Sequence, residues 1–194
     1  DGIVDEFIAR GLRVFGPKRA AARIEGSKVF AKNLMRRHKI PTADYAVFDD
    51  PNDARAYVER KGAPIVLKAD GAAAGKGVLI CKDLRAAYDA IEQIMEARVF
   101  GAAGDRVVVE EFMVGQEMSL LFFTDGATVV PLEPARDYKA ARDGDEGPNT
   151  GGMGAYSPAP VVTDAVHQRV LDEIIYPTVR GMAAEGNVYT GFLY

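Results

Sequence analysis

Tryptophan is absent from this 194-residue chain, cysteine occurs once and histidine twice. A lone Cys81 cannot close an internal disulfide, which excludes the disulfide-stapled secreted scaffolds. It ends an apolar run and reads as a small core residue. The two histidines, His38 and His167, fall on separate helix-like stretches far from Cys81, so neither a zinc site nor a nucleophile-histidine constellation is supported. No apolar run approaches the ~18 residues of a membrane span, and the first residues lack the basic-then-apolar pattern of a secretory leader. Cytoplasm is the expected compartment. An excess of basic charge is missing too. The formal net charge is −4, which argues against nucleic acid or an anionic membrane as the main partner and for small molecules.

What is present suits a globular protein with one good core or two small ones, since 48% of residues are hydrophobic and 27% charged. The chain is organised around residues 65–81, IVLKADGAAAGKGVLIC. Two aliphatic runs flank a stretch rich in Gly, Ala and Lys, the composition of strand, loop, strand. Gly71, Gly75 and Gly77 allow close backbone approach to a ligand, with N–H groups available for phosphate oxygens. Lys68 and Lys76 stand near the two ends. A P-loop is excluded, because 71–77 is one residue short, lacks the hydroxyl and runs into a strand. A dinucleotide fingerprint is excluded because Gly75-Lys76-Gly77 leads into Val78-Leu79-Ile80 rather than a helix. What remains is a Gly-rich flap between antiparallel strands.

Along the chain, residues 3–9 read as helix and 12–15 as strand, stopped by Gly16-Pro17. A helix from Lys18 breaks at Gly26, and Ser27 caps the next one, placing Lys28 in its first turn. Arg36, Arg37, His38 and Lys39 suit the negative end of that helix and read as solvated. Then come a strand at 45–48, a helix begun by Asp50-Pro51 with Ala54, Tyr57 and Val58 on one stripe, the flap hairpin, and a helix capped by Asp83. Residues 101–105 read as a loop and 106–113 as a strand. Residues 118–123 and 128–132 read as a hairpin through Asp125-Gly126. Residues 136–157 lack apolar periodicity and read as a long functional loop. A helix over 163–182 follows, with Val166, Val170 and Ile174 on one face and a kink expected at Pro177. Asp1 in place of Met and a strand-like 188–194 that simply stops lead to the expectation of a segment cut from a longer chain.

Two further groups of residues bear on chemistry. In VVVEEF, alternation puts Glu110 and Phe112 on one strand face and Glu111 on the other, with Glu117 shortly after. A carboxylate that is partly buried needs donors, such as an adenine amino group or ribose hydroxyls. The plain alternative is that Glu111 and Glu117 are ordinary exposed positions. In the long loop, Asp137 and Lys139 precede Asn149-Thr150-Gly151-Gly152-Met153-Gly154, a second backbone-rich surface suited to anions.

EGSK around Lys28, IVLKADG around Lys68, AAGKGV, VVVEEF, the long run GPNTGGMGAYSPAP and the closing YTGFLY closely resemble the phosphoribosylamine-glycine ligase family of the ATP-grasp superfamily. The resemblance covers essentially the whole chain. It implies an α+β ATP-grasp fold, two α+β subdomains with the nucleotide between them, truncated at both ends. On that pattern residues 1–16 are the tail of an N-terminal α/β domain, 17–44 begin the central ATP-grasp domain, 45–113 form the small lid subdomain, and 114–194 are the incomplete remainder of the central domain. The implied reaction joins glycine to 5-phosphoribosylamine in purine synthesis, with ATP and Mg²⁺ or Mn²⁺, in a monomer.

Residue by residue, the resemblance implies that Lys28 and Lys68 hold ATP phosphates under Gly71, Gly75, Lys76 and Gly77. Glu110 then accepts the adenine amino group, Glu111 is counted among the nucleotide-binding residues, the backbone of Phe112 meets the adenine edge, and Glu117 takes the ribose. Asp137 and Lys139, as catalytic residues, and residues 149–154, as substrate-binding ones, form the substrate side. The run ARDYKAA departs from the QDHKRV-like family pattern at Arg136, Tyr138 and Ala141, which bears on substrate contacts rather than on ATP. The family's metal ligands follow YTGFLY, so no residue here is assigned to metal. Glycyl phosphate is the implied intermediate, and no covalent enzyme intermediate is needed. A nucleotide-binding module without catalysis is the alternative. Another ATP-grasp ligase, such as a carboxylase, is disfavoured by GPNTGGMG.

Overall fold

Apolar residues at Ile65, Leu67, Ala69, Val107 and Val109 set the two central strands of an antiparallel sheet, β2 (Ile65–Ala69) and β4 (Val107–Glu111). The computed structural model describes all residues except Asp1, Ala72, Ala74, Gly75 and Asp145, and leaves out the side chains of Pro148 and Asn149. The chain forms two units, residues 23–114 and residues 1–22 with 115–194.

In the unit of residues 23–114, β1 (Tyr45–Phe48) and β3 (Val78–Cys81) complete the sheet in the order β1-β4-β2-β3. Helix α4 (Pro51–Lys61) starts where the Asp50 carboxylate accepts the Asn52 N–H at 2.7 Å. Helix α5 (Leu84–Ile91) starts where Asp83 accepts the Ala86 N–H at 2.8 Å. A π-helical turn at 92–96 extends α5, and the expected loop at 101–105 is a 3₁₀ turn. Ala54, Val58, Ala87, Ile91 and Ile94 pack with Ile65, Leu67, Cys81, Val107 and Val109 on one sheet face. Fully buried Val58, Leu67, Ile91 and Val107 each contribute about 1.5–3 kcal/mol. Alternation sends Val66, Lys68, Val108 and Glu110 to the other face. Helix α3 (Lys28–Arg37) begins at Ser27, whose hydroxyl accepts the Phe30 N–H at 3.1 Å. The helix before it, α2 (Arg19–Gly26), crosses the boundary between the two units in sequence.

The other unit holds α1 (Ile3–Ala9) and a three-stranded antiparallel sheet in the order β6 (Val129–Pro131), β5 (Phe122–Thr124), β9 (Gly191–Leu193). Asp125-Gly126 turns the first hairpin, the Asp125 carboxylate accepting the N–H groups of Ala127 and Thr128 at 2.9 and 2.7 Å. The strand expected at 12–15 does not form. That stretch has no ladder partner among the described residues, and Leu12 and Phe15 are exposed. The strand expected from Met118 starts only at Phe122, after a single bridge between Ser119 and Ala135. Pro131 and Pro134 withhold the donors a longer ladder would need.

The expected helix over 163–182 is three pieces: α6 (Asp164–Val170), a π-helical turn at 171–175, and α7 (Tyr176–Ala184). Pro177 has no N–H to return to the preceding turn, and the wider turn just before it shifts the helical phase. The buried stripe is therefore Leu171, Ile175, Val179 and Met182, whereas Val166 of the expected face is exposed. Residues 136–157, expected as a loop, form a two-stranded ribbon of β7 (Arg136–Arg142) and β8 (Glu146–Tyr156) with two register shifts. Among the described residues no helix is long and apolar enough to cross a membrane.

Candidate functional site

Register explains the first cluster. Val66 pairs with Glu110 and Lys68 with Val108, so Lys68 and Glu110 are diagonal neighbours on one face. The Lys68 ammonium donates to Glu110 Oε2 at 2.8 Å, and the Lys32 ammonium stands 3.4 Å from the same oxygen. The Glu110 side chain is only 6% exposed, and its donors are these two lysines of the chain itself. Lys32 is also anchored by Thr42 Oγ1 at 2.7 Å and the Ala43 carbonyl at 3.2 Å. Burial holds both Lys28 and Lys32 below the ordinary lysine range. At Lys32 the Glu110 carboxylate opposes this. At Lys28 the Asp70 carboxylate opposes it most, while the Lys68 ammonium acts with burial. Lys28, Lys68 and Glu110, named from the sequence, are thus within electrostatic reach of one another on one face.

Lys28 is half-buried, and its ammonium donates to the Gly71 carbonyl at 3.0 Å. The Gly-rich stretch is pinned at its base, since Ala69 N–H donates to the Gly77 carbonyl at 2.8 Å. A Cβ at Gly77 would lie 2.5 Å from Ala73 Cβ. Lys76 is exposed. Gly75 and the Asn149 side chain lie outside the described residues.

Beside Lys68, the β3 residues Val78 and Ile80 are 42% and 45% exposed. Val78 pairs with Lys68 and Ile80 with Val66, so they continue the same sheet face. The result is an open apolar shelf next to an ammonium. Glu111 is turned away from this face. Its carboxylate accepts the Asp44 N–H at 2.8 Å and its own N–H donates to the Asp44 carbonyl at 3.0 Å, clipping the end of β4 to the chain before β1. Phe112 follows β4 and is 38% exposed.

The second cluster lies on the ribbon. Lys139 donates to the Asp137 carboxylate, which raises the Lys139 pKa, and the Glu117 charge acts in the same direction. The Thr150 hydroxyl donates to the Lys139 carbonyl and accepts the Gly152 N–H, each at 3.0 Å. The side chain of Met153 is exposed, as are Gly151, Gly154 and Glu117. On the opposite ribbon face Arg136 stacks over Tyr138, 5.0 Å from the ring centroid, and Tyr138 meets Tyr156 at 5.9 Å.

Sequence reasoning missed Lys32, Asp70 and the Val78–Ile80 shelf. Lys32 is four residues after Lys28, hence on the same helix face, which was a usable signal. The role of Asp70 depends on partners more than 35 residues away and left none.

A four-stranded antiparallel sheet with a Gly-rich connection between β2 and β3, and lysines on its open face, marks an ATP-grasp protein. The biotin carboxylase domain of 2-oxoglutarate carboxylase from Hydrogenobacter thermophilus, solved with MgADP, shares this fold with a TM-score of 0.70 at 18% identity, over 97% of this chain and 40% of that one. Residues 26–194 match the phosphoribosylglycinamide synthetase ATP-grasp (A) domain, and the chain belongs to that family. It is 58% identical over 193 residues to phosphoribosylamine-glycine ligase of Yersinia pestis, covering all of this chain and 45% of that protein. The crystal structure of phosphoribosylamine-glycine ligase from Thermotoga maritima superposes with a TM-score of 0.86 at 36% identity, over 97% of this chain and 48% of that one. The chain thus spans less than half the length of these relatives.

Proposed function

We propose that this chain supplies nucleotide and substrate contacts for an ATP-dependent ligase that joins glycine to 5-phosphoribosylamine, giving glycinamide ribonucleotide, ADP and phosphate. The observation that carries the proposal is the gathering of Lys28, Lys68 and Glu110 on one sheet face beside a glycine-rich connection. Family membership narrows the chemistry to glycine ligation.

A carboxylate becomes a good electrophile once one oxygen is phosphorylated. Glycine therefore accepts the γ-phosphoryl group, and the amine of phosphoribosylamine attacks the glycyl phosphate carbonyl and expels phosphate. Such a transfer asks the protein for positioning and charge neutralisation. Lys28 and Lys68 meet the phosphate charge, and the Gly-rich stretch, by closing, keeps water from the acyl phosphate. Glu110 orients Lys68 through Oε2, which the chain's own lysines occupy, and only its other carboxylate oxygen is the acceptor proposed for the adenine amino group. Val78 and Ile80 offer the base an apolar bed, and the Phe112 backbone meets its edge. Asp137, Lys139 and residues 149–154 serve glycine and phosphoribosylamine.

Mg²⁺ or Mn²⁺ accompanies ATP in this reading. Among the described residues no group of three or more His, Cys, Asp or Glu is placed to hold a metal ion, and no step above is routed through one.

The test is ADP release by the complete polypeptide that carries these residues. Release that depends on both glycine and phosphoribosylamine supports the proposal. ATP binding without such release would leave a nucleotide-binding module and overturn the ligase reading.

A further inference from the structure

Asp70 is the last residue before the Gly-rich stretch, and it is held from every side. Its side chain is 5% exposed. Oδ1 accepts the Ser27 hydroxyl at 2.8 Å and the Val29 N–H at 3.1 Å, and Oδ2 accepts Arg106 Nη2 at 2.5 Å. Its own N–H donates to the carbonyls of Ala103 and Arg106, at 2.9 and 3.2 Å. Ser27 closes the arrangement by accepting the Phe30 N–H. Two of the donors that a helix N-terminus leaves without intrahelical partners are thereby satisfied, one by Asp70 and one by Ser27.

The consequence concerns the residues on either side. Lys28 sits between Ser27 and Val29, both bonded to Asp70, and its ammonium reaches the carbonyl of Gly71, the residue after Asp70. Gly71 leaves the anchor at φ +147, where an added Cβ would come 3.0 Å from Ala103 Cβ. One carboxylate therefore fixes both the first turn of α3 and the point from which the glycine-rich stretch departs.

We infer that Asp70 is a positioning residue for nucleotide binding, setting the place of the Lys28 ammonium relative to the start of the Gly-rich stretch. This rests on the nucleotide reading above. Both Asp70 carboxylate oxygens are taken by protein donors. Asp70 acts through Lys28 and Gly71, and its charge is the main one favouring the charged form of Lys28, where Lys68 opposes and Glu110 assists.

The experiment compares Asp70→Asn, Ser27→Ala and Val58→Ala with the parent chain. Val58 is buried on the other face of the sheet, away from the anchor. ATP with Mg²⁺ is titrated calorimetrically, folding is followed by circular dichroism, and Lys28 is titrated by NMR with ¹³Cε-lysine, its signal assigned by loss in Lys28→Arg. Asp70→Asn is expected to weaken ATP binding about tenfold or more, since charge-assisted hydrogen bonds are lost. Lys28 should then titrate at lower pH than in the parent. Ser27→Ala should weaken ATP binding by less and leave the Lys28 titration nearly unchanged, because Asp70 keeps its charge. Val58→Ala lowers the melting temperature and moves neither.

A folded Asp70→Asn with ATP affinity within twofold of the parent, or with unmoved Lys28 titration, overturns the inference. If Asp70→Asn does not fold, Ser27→Ala decides by ATP affinity alone, an affinity equal to that of the parent overturning the inference. A parent chain whose Lys28 titration responds to Asp70 but which binds no ATP would sink the nucleotide reading instead.

Discussion

Half-buried Lys68 and buried Glu110 form a diagonal pair across β2 and β4, 2.8 Å from Nζ to Oε2, with Lys32 3.4 Å from the same oxygen. Removing one member weakens the cluster without dissolving it. Lys68→Met leaves Glu110 with a single cationic partner and should cost about 1–3 kcal/mol of stability, because a desolvated carboxylate loses a charged donor. ATP affinity should fall at least tenfold. Lys68→Met with Glu110→Gln is expected to be less destabilised than the sum of the single changes, while ATP binding stays weak. Thermal melts in a double-mutant cycle, with calorimetry alongside, check both.

Lys28 predicts how ATP binding depends on pH. Burial lowers its pKa below the ordinary 10.5, so it sheds its charge at lower pH than a solvated lysine. Affinity that relies on that charge is fully present below the folded value and declines as pH rises through it. The alkaline decline of ATP affinity should therefore begin below pH 10.5. Lys28→Arg, whose guanidinium stays charged, should bind ATP through that range with no such decline.

Cys81 predicts the alkaline limit of the fold. Burial pushes its thiol from 9.0 up to about 11, with the charges of Asp83 and Asp89 adding to the effect. A raised value means that the native state retains the proton longer than the unfolded chain. Its contribution is complete below pH 9 and is lost between pH 9 and 11, amounting to about 2–3 kcal/mol. Cys81→Ala should flatten the fall of melting temperature over that window. In the native parent the thiol should react slowly with a disulfide reagent, since it is 2% exposed.

Gly77→Ala should act on the ligand rather than on the core. The added Cβ would come 2.5 Å from Ala73 Cβ and 3.2 Å from Ala69 Cβ, so the stretch between β2 and β3 must shift. An ATP dissociation constant raised several-fold, with circular dichroism unchanged, is the expected outcome, and calorimetry measures it.

Much of the sheet in residues 23–114 was legible because its signals are local. Asp50, Asp83 and Ser27 cap the helices they precede, and β2 and β4 are short aliphatic runs buried along nearly their whole length. Lys28, Lys68 and Glu110 were legible as types, but their meeting needs the β2–β4 register, which no local pattern encodes. The ribbon at 136–156 was unreadable for a different reason. Its described side chains are exposed or half-buried on both faces, so no apolar alternation marks it, and its two register shifts break what period remains. The phase of residues 163–184 was misjudged because Pro177 acts on the turn before it, inserting a wider turn that a uniform helical period does not contain.

The ribbon of β7 and β8 is tolerant of change. Its strands are joined by main-chain ladder bonds, and its side chains bury little, so residues such as Arg136 and Tyr138 can be exchanged with small effect on folding. The lysine face of residues 23–114 has no such latitude, since each member there is wedged against another. Under the proposed function, the ribbon is therefore the part that can be retuned toward a different acceptor without disturbing the lysine cluster.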